Sequence, residues 1–164
     1  MARQPLRLGM VGGGEGAFIG AVHRMAAAID GDWRMTAGAF STDAGRNART
    51  GEALGLDPQR VYDSFEQLVA RERALPPDER VDAIAIVTPN HLHAPVAIAA
   101  LDAGFHVLCE KPMAMSVAEA EAIERSVKAS GRLFALAFTY AGYPLVEEAR
   151  IRVARGDFGA IRLV

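Results

Sequence analysis

Leu6-Arg7-Leu8-Gly9-Met10-Val11-Gly12-Gly13-Gly14-Glu15-Gly16-Ala17-Phe18-Ile19-Gly20 is the stretch that decides how this chain folds. Its first six residues are mostly apolar and read as a strand. Beyond the glycines, Ile19, Val22, Met25, Ala26 and Ile29 recur at helical spacing and predict an amphipathic helix with that face inward. Gly12, Gly14 and Ala17 match the pattern G-x-G-x-x-G/A, while Gly13, Gly16 and Gly20 allow other registers and a longer loop. Such a turn brings the backbone close to a pyrophosphate and presents the free N–H groups of a helix N-terminus to the anion.

Outward from this turn, short apolar runs alternate with longer helical segments, the pattern of a parallel sheet with crossover helices. Strands are expected at Met35–Phe40, Ala83–Val87, Phe105–Cys109 and Leu133–Phe138, with a very short one at Val61-Tyr62. Helices are expected from Asp43 to Leu54, around Phe65, Leu68 and Val69, from His91 to Ala103, from Ser116 to Gly131, and from Tyr143 or Pro144 to Gly156. Ser116 and Glu119 form a capping-box signal. Ala83-Ile84-Ala85-Ile86-Val87 has no polar alternation and reads as a central strand covered on both faces. The fold class is therefore α/β: a doubly wound, mostly parallel sheet of Rossmann type, flanked by helices. Ala160-Ile161-Arg162-Leu163-Val164 reads as a further strand, so residues 1–140 are expected to form a nucleotide-binding domain. Residues 141–164 then supply a connecting helix and the first strand of a truncated α+β domain.

Composition narrows the function. The 164 residues are 51% hydrophobic and 23% charged with a net charge of −2, enough apolar surface for a full core and no clustered basic face for nucleic acid. A single cysteine, Cys109, excludes an internal disulfide and fits a reducing compartment. No run is long enough to span a membrane, and Met1 to Pro5 lead into the first strand without a signal-peptide pattern, so a cytoplasmic location is expected.

Three strand ends carry the candidate site. After the second strand, Ser41 stands where an acidic residue would hold the ribose of NAD, with Thr42, Asp43 and Arg46 near it. A hydroxyl and an arginine suit the 2′-phosphate of NADP, and Asp43 suits a ribose diol, so both cofactors stay open. Thr88-Pro89-Asn90 closes the buried central strand, and Asn90 is expected both to cap the next helix and to face the cofactor. His91 and His93 are two apart, a poor metal pair on a helix, and no metal site is expected. Glu110-Lys111-Pro112 ends the next strand, where Pro112 has no N–H for the ladder and Lys111 points into the crevice.

The order of these motifs, a Gly-rich turn, Thr88-Pro89-Asn90 with His93, then Glu110-Lys111-Pro112, resembles the Gfo/Idh/MocA family (glucose–fructose oxidoreductase, inositol dehydrogenase, rhizopine catabolism). The likeness spans its N-terminal domain, in a branch of the form Val-Gly-Gly-Gly…Ile-Gly-Ala-Val-His-Arg. The resemblance implies hydride transfer between NAD or NADP and a sugar, cyclitol or related polyol, with a homo-oligomer at full length. It implies that Lys111 acts on the reacting hydroxyl, that Glu110 supports the cofactor side and that Pro112 shapes the loop. Cofactor contacts are then expected from Gly12, Gly14, Gly16, Ala17, Phe18, Ile19, Ser41, Thr42, Arg46, Thr88, Pro89, Asn90, His93, Glu110, Lys111 and Pro112. In the family an aspartate and a histidine of the second domain complete the acid/base set. The Asn-Tyr-Arg stretch of many members is replaced here by Thr139-Tyr140-Ala141, with Tyr143 following. A nucleotide-binding sensor or assembly domain without catalysis is the other reading.

Overall fold

The computed structural model describes residues 4–163, so what is expected of Met1 to Arg3 and of Val164 lies outside the described residues. Five parallel strands form one sheet in the order β2-β1-β3-β4-β5. They are β1 (Leu6–Gly12), β2 (Trp33–Ala39), β3 (Ala83–Val87), β4 (His106–Cys109) and β5 (Phe134–Leu136). The helices are α1 (Phe18–Ile29), α2 (Ala44–Ala53), α3 (Phe65–Ala74), α4 (His93–Asp102), α5 (Val117–Ser130) and α6 (Pro144–Arg155).

The period-two alternation of β3 divides the core. Ile84 and Ile86 join Ala94, Ala97, Leu101 and Ile123 on the face covered by α3, α4 and α5. Ala83, Ala85 and Val87 join Leu8, Met10 and Phe40 on the face of α1. Every residue of β3 is buried, as its unbroken apolar run requires. The doubly wound α/β architecture is thus present, with its strand order reversing between β1 and β3.

Caps set several helix boundaries. Asp43 accepts the N–H of Arg46 and starts α2, Ser64 accepts that of Gln67 and starts α3, and Ser116 accepts that of Glu119 and starts α5. Gly131 in the left-handed region ends α5.

Five local expectations are corrected. Val61 forms only an isolated parallel bridge to Gly38, because Pro58–Arg60 coil into a 3₁₀ turn directly before it. The sixth expected strand shortens to Phe134–Leu136, since Thr139–Gly142 form a 3₁₀ turn. Residues 160–163 pair with no strand. Asn90 opens a 3₁₀ turn whose N-cap is Pro89 and makes no side-chain cap, so α4 begins at His93. On α1, Met25 and Ile29 are 63% and 78% exposed, while Gly20 is buried. The helix rolls Gly20, His23 and Arg24 inward because a backbone contact and two polar ties, described below, hold that face to the sheet.

A buried carboxylate fastens the edge of the sheet. Glu72 on α3 is fully buried and accepts from Arg60, from the Tyr62 hydroxyl at 2.8 Å and from the Val81 N–H at 2.9 Å. Burial, reinforced by the hydrogen bond and charge of Glu72, pushes the Tyr62 phenol up to about 12, against the opposing pull of Arg60. Unfolded tyrosine ionises near about 10. Ionisation therefore favours the unfolded chain, and stability present below pH 10 is lost as the pH rises towards 12. Urea midpoints measured from pH 9 upward should fall more steeply for the wild type than for Tyr62→Phe.

Candidate functional site

A cavity of about 1080 Å³ opens at the carboxyl ends of β1, β2 and β3, where the strand order reverses. Its floor is the glycine turn. Gly12 and Gly13 have φ of 81° and 71°, a region that only glycine enters without strain. A Cβ on Gly12 would stand 2.8 Å from the Val87 carbonyl oxygen, and one on Gly14 would stand 2.9 Å from that of Phe40. The turn is held from outside. Arg24 donates to the Gly13 carbonyl at 2.8 Å, and the Glu15 N–H donates to Thr50 Oγ1 at 3.0 Å. Glu15 also pairs with Arg49 at 2.9 Å.

Gly20 packs directly on the glycine turn. A Cβ there would lie 2.5 Å from Gly13 Cα, so α1 touches the turn backbone to backbone at Gly20. Ala17 is the N-cap of α1, provides no side-chain cap, and no acidic residue stands in the first turn. A side chain accepts an N-terminal N–H of α2, α3 and α5; α1, like α4 and α6, has no such cap, and of these its N-terminus is the one set at the glycine turn, where its N–H groups can meet an anion.

The remaining walls come from three segments. Ser41, Thr42 and Arg46 follow β2, Thr88 and Pro89 follow β3, and Asp63 to Glu66 lead into α3. Asp43 is committed to capping α2 through Arg46 N at 2.7 Å and does not line the cavity. Among the described residues the Arg46 guanidinium has no carboxylate partner. Thr88 Oγ1 is buried at the cavity wall with no hydrogen-bond partner. An open helix N-terminus, a glycine whose side chain would obstruct the floor and an orphaned hydroxyl fit a dinucleotide.

Of the expected contacts, Gly12, Gly14, Gly16, Ala17, Ser41, Thr42, Arg46, Thr88 and Pro89 line this cavity. Phe18, Ile19, Asn90, His93, Glu110, Lys111 and Pro112 do not. Phe18 is 82% exposed, whereas His93 is 1% exposed and spent on backbone carbonyls: Pro112 O lies 2.7 Å from Nδ1 and Thr88 O lies 3.0 Å from Nε2. Glu110 is buried, with Oε1 2.8 Å from His23 Nε2 and Oε2 accepting the Lys111 N–H at 3.0 Å. Lys111 itself is exposed, and its peptide bond to Pro112 is cis. The Asp63 to Glu66 wall is not among the expected contacts, and His23 stands in the Ile-Gly-Ala-Val-His-Arg pattern with no role expected of it. Ser64 three residues before Gln67 is a capping-box pair that marks the first of these.

Burial, then the charge of Glu110, pushes the Cys109 thiol up to about 12, which keeps it from acting as a nucleophile. Among the described residues no three His, Cys, Asp or Glu side chains group as metal ligands, and no helix is long and apolar enough to cross a membrane.

A parallel α/β sheet with a glycine-floored cavity at its switch point defines a nucleotide-binding domain of Rossmann type. The chain belongs to the Gfo/Idh/MocA family: the profile described as "Oxidoreductase family, NAD-binding Rossmann fold" matches residues 6–138. An inositol dehydrogenase homolog from Azotobacter vinelandii, solved in complex with NAD+, is 42% identical with a TM-score of 0.92. That match covers 97% of this chain and 40% of the homolog. An oxidoreductase from Sinorhizobium meliloti is 44% identical with a TM-score of 0.90, over 98% of this chain and 44% of that one. Levoglucosan dehydrogenase of Pseudarthrobacter phenanthrenivorans is 34% identical over 158 residues, 96% of this chain and 39% of that protein. The chain thus spans about two fifths of the length of its relatives.

Proposed function

We propose that this chain is the cofactor-binding part of an NAD(P)-dependent dehydrogenase acting on a CH–OH group of a sugar, cyclitol or related polyol. The observation that carries the reading is the adjacency of two strand ends. The cavity ends at Thr88 and Pro89 after β3, and the Lys111 turn leaves the neighbouring strand β4. The substrate class draws support from relatives named as levoglucosan and D-xylose dehydrogenases and from an inositol dehydrogenase homolog solved with NADH and myo-inositol.

Bound nicotinamide supplies the two-electron chemistry. The Gly12–Ala17 turn and the first N–H groups of α1 hold the pyrophosphate, and Thr88 Oγ1 offers a hydrogen bond. Lys111 presents its ammonium to the substrate oxygen and stabilises the alkoxide that forms as the proton leaves. Residues 1–140 form this nucleotide domain, 141–164 lead into a second, α+β domain that supplies further acid/base groups, and the complete enzyme is a homo-oligomer in the cytoplasm.

Ser41, Thr42 and Arg46 leave the ribose corner without an acidic gatekeeper, so NADPH is accepted as well as NADH. One charge-assisted hydrogen bond contributes about 1.5–3 kcal/mol. Arg46→Ala should therefore weaken NADPH at least about tenfold and leave NADH within about twofold. Fluorescence titration of the folded chain with each nucleotide checks this. Equal losses would remove Arg46 from the 2′-phosphate, and no binding of either nucleotide would refute the cofactor reading.

A further inference from the structure

Lys111 is exposed, yet both of its neighbours in the chain are held, each by a histidine and from opposite faces of the sheet. On the α1 face, His23 donates to Glu110 Oε1 at 2.8 Å, with the two side chains 12% and 11% exposed. The other carboxylate oxygen accepts the backbone N–H of Lys111 at 3.0 Å, and the Glu110 N–H donates to Ile86 O of β3 at 3.0 Å. On the α4 face, the buried His93 ring lies 2.7 Å from Pro112 O and 3.0 Å from Thr88 O.

Two features separate this arrangement from ordinary packing. Glu110 directs its oxygens to His23 and to a backbone N–H, so among the described residues the Lys111 ammonium has no carboxylate partner. Each histidine also joins the Lys111 turn to an element of the nucleotide cavity. His23 stands on α1 beside Gly20 and Arg24, which touch the glycine turn, and the His93 ring sits between the carbonyls of Pro112 and Thr88.

We propose that His23 and His93 are positioning residues that set Lys111 against the nucleotide cavity, His23 through the Glu110 carboxylate and His93 through the Pro112 carbonyl. The glycine turn and Lys111 are then parts of one frame built on α1 and α4. A carboxylate that accepts two donors is fixed in rotamer, and it fixes the peptide it holds. The proposal rests on the assignment of a chemical role to Lys111.

The test compares His23→Asn with His23→Gln. Glutamine places its amide nitrogen about where Nε2 stands and can still donate to Glu110, whereas asparagine is one bond too short. Hydrogen exchange at the Lys111 amide, followed by NMR in this chain, needs no substrate. It should speed up at least about tenfold in His23→Asn and return near the wild-type rate in His23→Gln. Unchanged exchange in His23→Asn overturns the proposal.

The second arm uses the enzyme expressed from its full gene and assayed with myo-inositol, then D-xylose. His23→Asn should lower kcat about tenfold with the NADH Kd within about twofold, and His23→Gln should restore it. In a Lys111→Ala background, His23→Asn should add nothing further. His93→Gln should lower kcat similarly. Wild-type turnover in Lys111→Ala would refute the underlying reading alone. Impaired turnover in Lys111→Ala with wild-type turnover in His23→Asn would refute this one. Parallel losses of kcat, NADH affinity and thermal midpoint, without rescue by glutamine, would reduce the histidines to structural ties.

Discussion

Lys111→Ala in the complete enzyme should lower kcat by about two to three orders of magnitude and leave the NADH Kd within about twofold. Removing one preorganised donor from a developing oxyanion costs about 10²–10³ in kcat. The lysine is exposed and lies outside the dinucleotide cavity, so its loss removes no contact from that floor. Among the described residues it has no ion-pair partner, so truncation strands no opposite charge, and stability should change by no more than about 0.5 kcal/mol. A fall in kcat at constant Kd and constant thermal midpoint is the signature of an interaction made in the transition state. Lys111→Arg should recover little, because a planar fork does not replace a compact ammonium. Turnover at the wild-type level in Lys111→Ala would end the assignment.

How much of this was legible in the sequence depends on whether a local rule or a tertiary contact decides the position. β3 could be read from its unbroken apolar run, and α5 from Ser116 and Glu119, because burial on both faces and capping are local constraints. The packed face of α1 was not legible by periodicity. Ile29 fits the hydrophobic spacing but is exposed, and Arg24 breaks it but is held to Gly13 O. The tie is polar and non-local, and burial lowers the Arg24 guanidinium below its ordinary range. His93 follows the same logic. Its place in the Thr88-Pro89-Asn90 segment pointed to the cofactor, yet its partner on the Lys111 turn lies 19 residues away in sequence. Likewise, 87 residues separate His23 from Glu110, and no spacing rule connects them. The candidate cavity was readable where glycine and proline punctuate the ends of β1 and β3, and hidden where side chains cross between elements.

Gly20→Ala offers the sharpest separation of local rule from tertiary contact. In an ordinary helix this change stabilises by about 0.5–1 kcal/mol, because glycine loses more backbone freedom than alanine on folding. At this position the added Cβ would stand 2.5 Å from Gly13 Cα and 2.7 Å from Gly13 O. Both are backbone atoms, so no rotamer change relieves the overlap, and either α1 or the turn must move. Gly13 cannot retreat freely, since a Cβ placed there already falls 2.8 Å from Val87 and its carbonyl is tied to Arg24. Overpacking of this kind costs about 1–3 kcal/mol. The displacement also carries the α1 N-terminus away from the turn with which, in the proposed binding mode, it holds the pyrophosphate. The expected result is a lower thermal midpoint and an NADH affinity weakened about a hundredfold, about 2.7 kcal/mol. Calorimetry and nucleotide titration on the folded variant read the two effects separately. A rise in thermal midpoint, or an unchanged NADH affinity, would show that the helix gain prevails and that the contact at Gly20 does not shape the nucleotide floor.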